Sequence, residues 1–487
     1  MPSRNLITIF ITVLACYACY SVAVKNRDAA TLAEAIAIVE REALYERTRP
    51  ELFQAAMKGM LSGLDAHSTY LSGNVFRNFD EEIDGQFGGV GIYFENVPTD
   101  GMYVLAVMPG HPADNSGLEA GDLIKSVDGK TTLQQDRSEI ANLMRGKVGE
   151  SVSVEFERDG QMKTATIDRA IIPLSSIHGY SRNLDGSWDY CLPSHPEIAY
   201  IRIKQFAEPT TKELKAALKT LSTDVDSIIF DLRNNPGGLL NCATDICDML
   251  LAEGKAIVST RGRGKKIISE IWSSDEPTID PSVKIVVLLN RNSASASEIM
   301  AGCLQDHDRA TVIGEQSWGK GTVQKVIQMK QGSAALKLTT ASYWRPSGKN
   351  IDRYDEESIK TKKWGVRPAA EFVVAMTETD MISQLKQMQN REIRGLIPIE
   401  KQDELMQLST ERFKQAMEEN IDELTDADES MDSDSAKDSD EEPRNLIMPS
   451  SPIDIETIKQ IDFEYDAVLE KAIEFLTQPQ ISSKIAA

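Results

Sequence analysis

Between residues 198 and 314 short apolar runs alternate with stretches whose apolar residues recur at helical spacing, and this alternation constrains the fold more than any other feature of the chain. Residues 198–206, 227–232, 283–289 and 310–314 read as strands, and 210–221, 239–251 and 294–304 as helices. That is the signature of an α/β sheet, with 283–289 a buried strand. Residues 323–329 and 335–343 then read as a β-hairpin. Upstream, 30–40 and 51–60 carry apolar residues at helical spacing. Between them and the α/β region lies a stretch of short strands, 84–170, rich in Gly, Val and Ile, with a helix at 137–144 and a strand at 151–157.

A chain of 487 residues has room for two or three domains. Its formal charge of −22 argues against nucleic acid or an anionic membrane surface as partner. The charge is uneven: thirteen acids against Lys437 alone lie between Glu418 and Glu442. Residues 422–452, acidic and nearly free of aromatics, are therefore expected to be disordered. Asp426-Ala-Asp428 and Asp432-Ser-Asp434 lack the glycine and spacing of a calcium loop and read as solvated linker. At the N-terminus, Arg4 precedes an uncharged run over 5–24 that ends near Ser21-Val-Ala23. This reads as a cleaved signal peptide, a membrane anchor, or, through Val13-Leu-Ala-Cys16, a lipid attachment site. All three place the mature domains outside the cytoplasm, in the periplasm or cell envelope. Outside that segment stand Cys191, Cys242, Cys247 and Cys303, read as free thiols with no metal-ligand spacing, so no metal or cofactor is expected.

The chemistry concentrates in Asn292-Ser-Ala-Ser-Ala-Ser-Glu298, Gly319-Lys-Gly-Thr-Val-Gln324 and Asp231-Leu-Arg-Asn-Asn-Pro-Gly-Gly238. A serine is a poor nucleophile until its proton is taken, and a lysine takes it only when held neutral. Lysine's pKa in water, ~10.4, must fall by several units, which burial can achieve. Trp318, Gly319, Gly321 and Val323 set no acid beside Lys320 in sequence. The Gly237-Gly238 turn can aim N–H groups at an oxyanion. Ser293, Ser295 and Ser297 alternate, and spacing alone does not choose among them.

Together with Leu64-Asp-Ala-His-Ser68 and Gly89-Val-Gly-Ile92, these motifs resemble, in order, the carboxyl-terminal processing proteases, the PDZ-containing S41 family of serine endopeptidases. The resemblance covers about residues 32–377, with a recurrence at 466–476. It implies an α/β protease core, ClpP/crotonase-like, with an inserted, mostly β PDZ domain and flanking helices. The boundaries are a signal peptide or anchor at 1–24, a helical region at 30–82, the PDZ domain at 83–170 and the protease core at 171–377. A charged helix and acidic insertion follow at 378–460, then a terminal helix at 461–487. The resemblance makes Ser295 the nucleophile, Lys320 the base and Gln324 the residue that orients the lysine. Ala296 N–H gives half of the oxyanion hole, and Gly237 or Gly238 the other. Gly89, Val90, Gly91 and Ile92 bind a peptide tail by strand addition, Arg145 bridges the domains as a gate, and His67 is structural. Trp344 stands where the family more often has a small residue and is expected to narrow the substrate groove. The implied partners are protein or peptide substrates with apolar C-termini; membrane attachment through the N-terminal segment and homo-oligomerisation stay open. The alternative is a catalytically silent PDZ scaffold that binds tails. An acyl-thioester enzyme would leave the PDZ segment and the secretion signal without a purpose.

Overall fold

The computed structural model describes residues 12–14, 27–97, 101–135, 137–183, 185–329, 334–411, 414 and 466–478. The targeting segment (apart from 12–14) and the acidic stretch lie outside them, as do the sequence readings made there. The chain divides into two compact units, one of 1–73 with 324–339, the other of 74–323 with 340–487.

In the first unit, helices Arg27–Glu42 and Arg49–Ser62 precede the strand Thr69–Ser72. Thr48 opens the second helix with a reciprocal cap: Glu51 Oε2 accepts from Thr48 N at 2.8 Å, and Pro50 sits in the first turn. The strand pairs antiparallel with 334–337, Thr69 opposite Lys337, and Leu61, Tyr70 and Ala334 close a small apolar cluster. Asp65 organises the turn before it, accepting from the backbone N–H groups of His67 and Ser68 (both 2.8 Å) and from Thr339 Oγ1 (2.9 Å). The strands Thr322–Gln328 and Ala334–Trp344 pair, as the hairpin reading expects.

In the second unit, Ile92–Val97, Gly101–Val107, Leu123–Val127, Ser151–Arg158 and Gln161–Asp168 form one antiparallel sheet in that order. Val152, Val154 and Phe156 point inward while Ser151, Ser153 and Glu155 face solvent, the period of two that a half-buried strand dictates. Helix Arg137–Met144 seals this core with Ile140 and Met144.

The α/β region contains four parallel strands in the order His195–Ile203, Ser227–Asp231, Lys284–Leu289, Thr311–Gly314. Strands covered on both faces carry near-continuous apolar runs, and every residue of Ser227–Asp231 is buried, with Ile228, Ile229 and Phe230 at its centre. Ile228, Phe230, Val287 and Leu289 face helices Leu240–Leu250 and Ala296–Asp306. Ile229, Val286 and Leu288 face the other way, where helix Ala467–Thr477 returns to cover them with Val468, Leu469 and Ala472.

Two boundaries differ from the sequence reading. Ladder pairing of the first strand ends at Ile203, and Phe206 instead makes a lone bridge to Gly238. The helix expected from residue 294 begins at Ala296, because Ser295 takes φ 55°, which no helix accommodates. A third feature went unread. Helix Glu378–Arg394 and the helix at 402–411 dock on the 84–170 sheet, packing Ile393, Ile397 and Leu405 against Leu105, Ala106 and Ala120. Lys401 Nζ donates to Ala120 O (2.9 Å). Buried Lys386 donates to Ser409 Oγ (2.5 Å), which donates onward to Glu95.

Candidate active site

The site begins where the strand Ser227–Asp231 ends and the chain reverses through a turn held by side-chain amides. Asn235 Nδ2 donates to Ile203 O (2.7 Å), its Oδ1 accepts from Gly237 N (2.8 Å), and Asn234 N donates to Asn290 Oδ1 (2.9 Å). Gly237 sits at φ 102°, and a Cβ there would stand 2.7 Å from Ser295 Cβ, so both backbone and space require glycine. The turn is thereby pressed against the loop that carries Ser295.

Beneath the turn lies a buried ion network. Arg233, 1 % exposed, places Nε 2.9 Å from Asp231 Oδ1 and Nη1 2.7 Å from Asp466 Oδ1. Tyr200 donates to Asp231 at 2.6 Å. Burial disfavours every charge in this group, but the attraction outweighs it: Arg233 is held well above its usual pKa and Asp466 below its own. Asp466 also caps the returning helix through Leu469 N (3.1 Å), so the last described element of the chain is tied to the turn.

Of the three alternating serines, Ser293 donates to Leu232 O (2.9 Å) and Ser297 to Asn235 O (3.0 Å), which ties both hydroxyls to backbone carbonyls. Ser295 lies between them at φ 55°, ψ −113°, on a sharp entry to helix Ala296–Asp306. A non-glycine residue pays strain to hold that conformation, and such strain gathers where a nucleophile must be presented. The N–H groups of Ala296 and Gly238 have no acceptor among the described residues, whereas that of Gly237 is taken by Asn235.

One residue with no role in the sequence reading organises this corner. Glu298 is 0 % exposed, and its carboxylate accepts from Ser295 N (2.8 Å), Lys320 N (2.8 Å), Gly319 N (2.7 Å) and Ser317 Oγ (2.5 Å). Burial pushes its pKa up to about 7 against the pull of those four donors. The backbones of Ser295 and Lys320 therefore converge on a single oxygen, Oε2. The signal was present in the sequence: Ser295-Ala-Ser-Glu298 has the spacing of a helix capping box. The Lys320 side chain is itself buried, at 8 % exposure. Gln324 belongs to the other unit, where its Nε2 donates to Thr339 Oγ1 (3.3 Å).

Gly89, Val90, Gly91 and Ile92 line a cavity of about 600 Å³, together with Arg145. Gly91 has φ 83°, and a Cβ on it would meet His111 at 2.7 Å. The Arg145 guanidinium lies 4.7 Å over the Phe87 ring and 3.9 Å from Glu81. Trp344 does not stand in an open groove: its indole is 8 % exposed under Arg261, 4.0 Å away, because it pairs inside the sheet opposite Ser259. Cys242, Cys247 and Cys303 are buried free thiols, and no group of metal-ligating side chains occurs among the described residues. Nor does any described helix have the length and apolarity to cross a membrane.

Comparison with known proteins adds to this geometry. Residues 197–368 match the family model "Peptidase family S41", and residues 88–168 match "PDZ domain". A carboxy-terminal-processing protease of Bartonella bacilliformis is 36% identical over 324 residues, covering 63% of this chain and 71% of that protein. A probable CtpA-like serine protease of Staphylococcus haemolyticus is 32% identical over 303 residues; there the chain spans 58% of the relative's length and 62% of its own. Among solved structures, a photosystem II D1 C-terminal processing protease is 25% identical, over 70% of this chain and 92% of that one, at a TM-score of 0.39. At that score nothing further follows from the likeness.

Proposed function

The chain belongs to the carboxyl-terminal processing proteases of peptidase family S41, serine-type peptidases that here carry a PDZ domain, and on that premise we propose that Ser295 and Lys320 form its catalytic pair. Ser295 Oγ attacks the scissile carbonyl while Lys320 Nζ takes its proton. The oxyanion that develops is met by the N–H groups of Ala296 and Gly238. The engagement of Gly237 N–H by Asn235 supports Gly238 as the second donor. Lys320 then returns the proton to the departing amine, and water releases the acyl group from Ser295. Burial of Lys320 is the setting in which a lysine gives up its charge. Gln324, by resemblance, orients the amine.

The observation that carries this reading is Glu298, which ties the strained Ser295 backbone and the Lys320 backbone to one carboxylate oxygen. The parallel sheet flanked by helices supports a ClpP/crotonase-like core. The Gly89–Ile92 loop, opening on the cavity, supports capture of apolar C-terminal tails by strand addition, with Arg145 between tail site and core as the gate. The apolar N-terminal segment supports a location outside the cytoplasm. The test is proteolysis of an unstructured protein bearing an apolar C-terminal tail. The intact chain should cleave it, and the Ser295→Ala and Lys320→Ala variants should not. Equal cleavage by either variant would remove the pair from the mechanism.

A further inference from the structure

The cavity has a second wall that tail capture leaves unused. Facing the glycine loop are His178, Arg182, Trp188 and Lys204 of the peptidase region and Glu392 of the helix that follows it. Glu392 balances Lys204 at 3.4 Å and accepts from Tyr93 at 3.2 Å. Arg182 also lies in the field of Glu392, but makes no close ion pair with it. Its guanidinium lies 4.5 Å over the Trp188 ring, which itself stacks on His178 at 4.4 Å, so the arginine is held in place by aromatic faces. Its Nε is buried with no hydrogen-bond partner. A guanidinium N–H left without an acceptor is unfavourable, and the rest of this partly exposed guanidinium borders the cavity. This cationic wall sits in a chain whose formal charge is −22.

A tail added beside Ile92–Val97 turns alternate side chains to opposite sides. The last residue and the third from the end enter the apolar groove near Val90, Ile92 and Met144. The second and fourth from the end face away from it. We propose that the cationic wall reads an acidic side chain of the tail: a carboxylate at the second or fourth position from the end, bound by Arg182 with Lys204 as the second cation. A stacked, planar guanidinium suits two-pronged binding of a carboxylate. The inference rests on the tail-capture reading and adds a substrate class to it, C-termini that are apolar at the end and acidic just upstream.

The test is fluorescence anisotropy at physiological salt, using the full chain with Ser295→Ala and labelled peptides of one apolar-ended sequence. One peptide carries Glu at the second and fourth positions from the end, one carries Gln at both, and one is the Glu peptide with its terminus amidated. The Glu peptide should bind about tenfold more tightly than the Gln peptide. Arg182→Gln should collapse that difference, and Glu392→Gln, which releases Lys204, should widen it whether or not the arginine variant folds. Equal affinity of the Glu and Gln peptides, or a difference that survives Arg182→Gln, overturns the proposal. If the free acid still binds better than the amide while Glu and Gln bind alike, this inference alone fails. If the free acid and the amide bind alike, the tail-capture reading fails beneath it.

Discussion

Around Ser295 the polar groups are buried and engaged: Glu298 is 0 % exposed with four donors on its carboxylate, and Arg233 is 1 % exposed between two aspartates. In the cavity beside Ile92 the charges are looser, with Arg145 3.9 Å from Glu81, Arg137 3.6 Å from Glu95, and Arg182 lacking a partner for Nε. The first region is organised before any substrate arrives, which is what stabilising a transition state demands. The second leaves donors for a ligand to satisfy, which suits recognition of varied tails. Substitutions in the two regions should therefore fail differently, the first in rate or folding and the second in affinity.

The largest expected effect is on rate. Ser295→Ala or Lys320→Ala should lower cleavage by about 10³-fold or more, while anisotropy shows that peptide still binds in the cavity. Loss of binding in parallel would mean that the two regions are not separable. Next, Arg233→Met strands two buried aspartates and should cost about 3–5 kcal/mol in urea unfolding. Glu298→Gln keeps the shape but turns an NH₂ toward N–H donors. It should cut kcat by about 10²-fold with little change in KM, because it displaces Ser295 and Lys320, the proposed pair, and not the tail. A KM effect with kcat intact would place Glu298 in binding instead.

The smallest effect concerns the helices docked on the PDZ sheet. Burial lowers the Lys386 pKa to about 8, with Glu95 pulling the other way. Between pH 8 and ~10.4 the unfolded chain holds more protons at this site than the folded one, so stability gains as pH rises through that window. Lys386→Met should therefore be more stable than the parent at pH 7, by about 2 kcal/mol, and the gap in urea midpoints should narrow toward pH 10. A constant gap would mean that Lys386 is as easily charged as a solvated lysine.

Much of this was legible in the sequence, and for identifiable reasons. Apolar runs such as Ser-Ile-Ile-Phe-Asp at 227–231 announce a strand covered on both faces, and Gly91 and Gly237 mark positions of positive φ. Glu298 was overlooked because it stands 22 positions before Lys320, and only the fold brings its carboxylate to the backbone N–H groups of Gly319 and Lys320. Arg233 with Asp466 could not be read at all, since 232 residues of chain separate partners that meet only once the sheet is covered. Docking of 378–411 on the PDZ sheet was hidden likewise, because its apolar residues look like those of any amphipathic helix.

The central claim, that Lys320 activates Ser295 and no neighbouring serine, is tested most directly by a fluorophosphonate, which phosphonylates an activated serine Oγ with loss of fluoride. Intact mass followed by peptide mapping should find one adduct, on Ser295, in the parent chain and none in Lys320→Ala. An adduct on Ser293 or Ser297, or undiminished labelling of Lys320→Ala, would contradict the account.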